Sequence, residues 1–404
     1  MTESKLFRPK LVAQSWENFA ETPSPNEASR DIAGVKNAAW SADGTCITAT
    51  DVHNAIDTVI VPPHLLTTQD KPLVLSAYCT IPAAEPITSL CSYPRYQLQD
   101  LASALVLSSV REHPIRLHSA LNAQLVASYP LINPLTEEYI SPLSLCFTPD
   151  ASQFVAGSDS LISTFDLARP GQDPITSVKT GPKSRKDNRW NPATSMRGIV
   201  SALAVDKASG MLAVGTFSSQ IALYDANGSG VCAGSFSIQD NAANEGIGGA
   251  GITQLHWSPD GRYLYIAERK SDGVMVYDIR QTGQLLSWSE GRNARTNQRL
   301  GMELSESDNG SPEVWAGGTD GKVRMWSDMH LHEGVVKPSF EHKVHQGTVA
   351  FARTHSITDY LIAAVTSICV HPTGGVIVTS SAPTRPTKNV VEDEIDSKLK
   401  IWSI

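Results

Sequence analysis

A few loops of this chain hold side chains that, by type and spacing, could contact a polyanion. The stretch KTGPKSRKDNRWNPATSMRG (residues 179–198) carries Lys179, Lys183, Arg185, Lys186, Arg189 and Arg197 against the single acid Asp187, with Trp190 among them. GRNARTNQR (291–299) carries Arg292, Arg295 and Arg299 beside the amides Asn293, Asn297 and Gln298. ERKSDG (268–273) adds Arg269 and Lys270, and SSVREHPIRL adds Arg111. Cations neutralise phosphates, guanidinium and indole planes stack on unpaired bases, and amides read base edges, which together make the chemistry of single-stranded RNA recognition. The same loops would also serve as a plain solvated surface; convergence on one face is what favours RNA.

Other chemistry finds little support. There is no G-x-S-x-G and no pair of carboxylates in a context that suggests a cleft, so neither an enzyme nor a small-molecule substrate is expected, and no cofactor. GIGGAG (246–251) resembles a phosphate loop, but it leads into a strand and has no following Lys-Ser/Thr, so it reads as a flexible link. Cys46, Cys79, Cys91, Cys146, Cys232 and Cys369 are scattered without a C-x-x-C pair and read as buried reduced thiols. His330, His332, His342 and His345 lack a metal-ligand spacing, so no metal is expected. Tyr277-Asp278-Ile279-Arg280 resembles the W-D-x-R signature of propellers that dock onto ubiquitin-ligase adaptors, against the simpler reading that Asp caps the turn and Arg pairs locally.

The net charge of −8 over 404 residues argues against a protein that coats nucleic acid indiscriminately, so RNA would have to meet a local basic patch. The start, MTESKLFRPKLVAQSW, lacks the apolar core of a signal peptide, and no apolar run approaches the ~20 residues of a spanning helix. A nuclear or cytosolic protein without membrane contact is expected.

The elements that must position these loops are short strands. Between Ala250 and Leu300 four runs rich in β-branched and aromatic residues, ITQLHW, RYLYIAE, GVMVYDI and QLLSW, are separated by SPDG, KSDG and RQTG. That is one propeller blade, which cannot bury both faces alone. Copies run over Val35–Pro63, Thr88–Tyr129, Ser141–Ala168, Val200–Ala226 and Thr296–Phe340, and a last one is made from TSICVHPTGGVIVTSS and KLKIWSI. The last lacks a fourth strand, which the N-terminal strand 11–16 (LVAQSW) is expected to supply, hiding sheet edges. The expected fold is therefore all-β, a seven-bladed WD-repeat β-propeller closed by an N-terminal strand. The expected division is an N-terminal segment 1–33 and a propeller 34–404. Two insertions break the period: 347–364, a short surface helix or a translated intron, and 382–397, a solvated acidic loop with Glu392, Asp393, Glu394 and Asp396. In such a fold the connections between second and third strands share a face with those between blades. All the basic loops above fall on that face.

At this point the chain resembles a specific family, the telomerase Cajal body proteins, WD-repeat RNA-binding factors. The resemblance rests on AQSWENF, VKNAAWSADGTCI, SSVREHPIRL, SLCFTPDASQF with DLARPGQD, GITQLHWSPDG, ERKSDG, YDIRQTG and TNQR in the family's order, over most of the chain. WSPDG alone is common to many propellers; S-x-R-E-x-P-I, A-R-P-G-x-D and T-N-Q-R are more specific. The resemblance implies binding of a short box in small Cajal-body RNAs and telomerase RNA, with localisation to the nucleus and Cajal body and support of ribonucleoprotein assembly alongside core proteins of the particle. Matching positions include Arg111, Glu112, Arg269, Lys270 and Thr296–Arg299. Residues 347–364 are extra to the family pattern, and the long polar N-terminal extension and Gly-rich tail of animal members are missing. A short relative associated with pre-mRNA splicing is similar in length, so a protein-interaction scaffold in splicing, or a ubiquitin-ligase substrate receptor, is the alternative.

Overall fold

The computed structural model describes residues 8–15, 34–67, 70–181, 194–281, 283–307, 309–346, 348–352, 358–383, 396 and 398–404, with backbone alone at 348–352, 358–363 and 383. The fold is all-β, a seven-bladed propeller built on four-stranded antiparallel sheets, with a fifth strand added to blade 5 and two more to blade 7. Second strands such as Cys46–Asp51 and Leu105–Val110 are buried along their whole length, which is why they read as nearly unbroken apolar and small residues.

Blades 2 to 5 form one compact unit, Pro82–Arg299 with Asp328–Lys337. Their innermost strands are Ile87–Ser92, Ser144–Phe147, Val200–Val205 and Ile252–Trp257. In blade 5, Tyr263–Glu268, Val274–Asp278 and Gln284–Ser289 follow in order, as the four runs predict. The W-S-x-D-G turn has a definite local cause. Ser258 Oγ donates to Asp260 Oδ1 at 2.5 Å and accepts from the Tyr263 amide at 2.9 Å, while Gly261 takes a left-handed φ of +68°. Half-buried Trp257 donates from Nε1 to the Ala204 carbonyl of blade 4 at 3.0 Å, tying adjacent blades together.

Blades 1, 6 and 7 form the second unit. Lys10–Ser15 pairs antiparallel with Leu399–Ser403 and completes blade 7, so the two ends of the chain share one sheet. Residues 347–364, read from the sequence as a short surface helix or a translated intron, carry a strand, Thr348–Ala352, paired with the front half of the long inner strand Thr358–Val370. The β-branched and aromatic content of TVAFA and TDYLIAAV explains the preference for extended backbone. Most of 382–397 lies outside the described residues, but Asp396 is not part of a solvated acidic surface: Lys400 Nζ binds its carboxylate at 2.6 Å and its side chain is 13% exposed. Beside it, buried His345 accepts or donates at 3.0 Å to Thr379 Oγ1, which receives Trp402 Nε1 at 3.0 Å. His345 is thus a hydrogen-bonded core histidine of blade 7.

Two three-residue strands escaped the sequence pattern. Leu73–Leu75 adds parallel to Lys10–Ser15, and Gly334–Val336 adds parallel to Gln284–Ser289. Each covers an outer sheet edge that would otherwise offer unpaired backbone groups.

Candidate nucleic-acid interface

In the unit of blades 2 to 5, the turns between second and third strands share a conformation. Glu112, Ser160, Ser219 and Lys270 occupy equivalent positions with φ of +59°, +52°, +54° and +55°. The turns bond to the connections between blades. Arg111 N donates to Pro86 O at 3.0 Å, Ser160 N to Gly198 O at 3.0 Å, Phe217 N to Ile199 O at 3.1 Å and Lys270 N to Thr296 O at 2.9 Å. Turns and connections are therefore one continuous face of this unit.

The blade 5 turn is held to its connection by several bonds. Asp272 Oδ1 accepts the Ala294 amide at 3.0 Å, its carbonyl accepts the Arg292 amide at 2.8 Å, and its other carboxylate oxygen holds the Arg295 guanidinium. One acid thus folds GRNARTNQR over ERKSDG. Arg269 Nε donates to Ala250 O at 2.6 Å and its guanidinium lies 4.6 Å from the centre of the Phe217 ring. Beneath it Glu268 is buried, accepting from Ser219 Oγ and, at 3.0 Å, from the Gly251 amide. Burial pushes its carboxyl above the usual range.

Glu268 also explains GIGGAG. A Cβ on Gly249 would stand 2.1 Å from Glu268 Oε2, and a short helix, Ala242–Ile247, precedes it. The glycines let the backbone pack onto a buried carboxylate, so this segment is a fitted link rather than a loose one.

The expected site residues divide into four groups. Arg111, Lys270, Arg295, Asn297 and Arg299 are exposed, with Arg111 near Glu112 at 3.6 Å. The tip of Arg299 turns inward, where Nη2 donates to Thr253 O at 2.5 Å and desolvation lowers its pKa. Arg269 and Gln298 are half-buried, and Gln298 Oε1 has no hydrogen-bond partner among the described residues. Arg292 departs from the expectation of a solvent-facing cation: it is 1% exposed, and burial pulls its pKa down to about 10. It supports the loop from below and presents nothing to solvent. Lys183, Arg185, Lys186, Arg189 and Trp190 lie outside the described residues. Phe217 and Glu268 were missed as organisers of the face; an acid closing a strand before a basic turn was the available signal for Glu268.

Arg280 follows the local reading, with Nη2 on Asp278 Oδ2 at 2.7 Å and its guanidinium 5.5 Å from the Tyr263 ring centre. Among the described residues no group of three or more His, Cys, Asp or Glu side chains is arranged to hold a metal ion, and no helix is long and apolar enough to cross a membrane.

Comparison with known proteins agrees with this architecture. Residues 211–309 match the family model "Lactonase, 7-bladed beta-propeller". Guanine nucleotide-binding protein negative regulator 1 of Schizosaccharomyces pombe is 32% identical over 73% of this chain and 70% of its own length. Telomerase Cajal body protein 1 of Mus musculus is 27% identical over 98% of the chain and 66% of its length, and that of Homo sapiens 28% identical over 79% and 52%. The chain thus spans only about half to two thirds of these mammalian relatives. The similarity and the seven blades place the chain in one group: it belongs to the telomerase Cajal body protein family.

Proposed function

We propose that this propeller binds a small nuclear noncoding RNA, a small Cajal-body RNA or telomerase RNA, through the turn-and-connection face of blades 2 to 5, and holds it in a ribonucleoprotein in the nucleus and Cajal body. The observation that carries the reading is the hydrogen-bonded union of ERKSDG and GRNARTNQR, which presents Lys270, Arg295 and Asn297 together. The names of the mammalian relatives support the same class of particle. Recognition here involves no bond chemistry. Exposed Arg and Lys supply affinity by neutralising phosphate, Arg269 on Phe217 offers a stacking platform, and Asn297 supplies base-edge hydrogen bonds. In this reading Lys183, Arg185, Lys186, Arg189 and Trp190 contact the same RNA.

Titration of a small Cajal-body RNA against the full chain at several salt concentrations tests it. Removing one phosphate-binding cation should flatten the slope of log affinity against log salt by roughly 0.7. The Arg111→Glu/Lys270→Glu variant with an unchanged affinity and slope would overturn the placement.

A further inference from the structure

A cleft of about 380 Å³ opens at the outer end of blade 5, beside the basic face, with Asp272, the partner of Arg295, in its wall. Trp288 and Ile247 line it with Val335, which is 50% exposed on the added strand Gly334–Val336. Asp272, Glu290 and Asn293 supply the polar side. Asp272 is already occupied by Arg295 and the Ala294 amide. Glu290 is different: its amide donates to Val336 O at 3.1 Å, and its carboxylate has no ion-pair partner among the described residues.

We propose that this cleft receives an arginine side chain presented by a protein partner. An aliphatic stem packs between Ile247 and Val335, a planar guanidinium lies on the Trp288 indole, and Glu290 closes the charge pair. Arginine suits such a site better than lysine because its cation is planar, weakly hydrated and able to stack. Asp272 is neutralised by Arg295, so the Glu290 carboxylate supplies the negative charge of the cleft and disfavours a nucleic-acid backbone as occupant. Gly246 and Gly291 leave the entrance clear: a Cβ on Gly246 would meet only Trp288 Nε1, at 3.8 Å, and one on Gly291 would meet nothing within 4 Å. The proposal does not depend on the RNA reading, but it places a protein-binding pocket next to the proposed RNA face.

The test uses the full chain and a fluorescein-labelled Gly-Arg-Gly-Arg-Gly-Arg-Gly peptide followed by anisotropy, beside its citrulline counterpart. The arginine peptide should bind about tenfold more tightly than the citrulline one, and Glu290→Gln should weaken it about five- to tenfold. Glu137→Gln, a change at an exposed acid elsewhere in the unit, should leave it within about twofold. Small Cajal-body RNA affinity, measured in parallel, should not change in Glu290→Gln. Equal affinity for the two peptides, equal losses in Glu290→Gln and Glu137→Gln, or an effect of Glu290→Gln on RNA in place of peptide would each overturn the proposal. Failure of the RNA reading would show separately, as RNA affinity indifferent to Arg111 and Lys270 while the peptide result stands.

Discussion

The Lys270 amide donates to the Thr296 carbonyl at 2.9 Å, joining a turn within blade 5 to the connection that leaves it. Two loops that carry exposed cations of this face are therefore tied to each other through the backbone. A side chain on either is held at a fixed distance from the other, which is what readout of successive nucleotides requires.

Lys270 sits at φ +55°, where a non-glycine residue is strained. Lys270→Gly should leave stability unchanged or raise it by up to ~1 kcal/mol, because glycine adopts this conformation freely. The same change should weaken RNA binding. Chemical denaturation and RNA titration of one variant separate the two effects, and a loss of both would mean that Lys270 is a structural residue.

Gly249 faces the buried Glu268 carboxylate with no room for a methyl group, at φ +145°. Gly249→Ala should cost about 2–4 kcal/mol by forcing the carboxylate aside and straining the backbone. Adding Glu268→Ser should recover part of that cost, since the steric component disappears. Denaturation midpoints of the single and double variants check the coupling.

Arg292 and Arg295 lie three residues apart and touch the same acid, yet one is buried and the other is 66% exposed. Arg292→Met should cost about 2–4 kcal/mol by disrupting a buried charge with its partners, while Arg295→Met should cost under about 1 kcal/mol. RNA affinity should rank them the other way, with Arg295→Met weaker and folded Arg292→Met unchanged.

Acid should destabilise blade 7 through His345. Burial holds its pKa below the ordinary 6.5, so the unfolded chain takes up a proton that the folded chain refuses. Stability is then full above about pH 7.5 and falls as pH drops below the ordinary value, by at most ~1.4 kcal/mol per unit. At Asp396 burial opposes ionisation, but the neighbours His345 and Lys400 outweigh it and hold the carboxyl below its usual range, so its contribution disappears only in stronger acid. Melting curves at pH 7.5 and 5.5 should show the step in the native chain and a reduced step in His345→Gln.

Much of the fold was legible because its determinants are local. Trp257 with Ser258-Pro259-Asp260-Gly261 specifies a strand end and its turn within five residues, and Trp40 with Asp43-Gly44 repeats it. The orphan strand near the start found its partner by elimination. Three-residue strands such as Gly334–Val336 are too short for periodicity, and their pairing is decided by a distant edge. The basic face was legible as charge, but R-N-A-R does not say which arginine turns inward. That choice comes from Asp272, which takes the Arg292 amide on its carbonyl and leaves Arg295 to its carboxylate.

The central claim is that this face holds a nuclear noncoding RNA, and sequencing of RNA crosslinked in cells to the native chain and to a variant with Arg111, Lys183, Arg185, Lys186, Arg189 and Lys270 changed to Glu tests it most directly. The account predicts enrichment of small Cajal-body RNA or telomerase RNA on the native chain and its disappearance from a variant that remains folded. Equal recovery from both chains, or none above background from the native one, would contradict it.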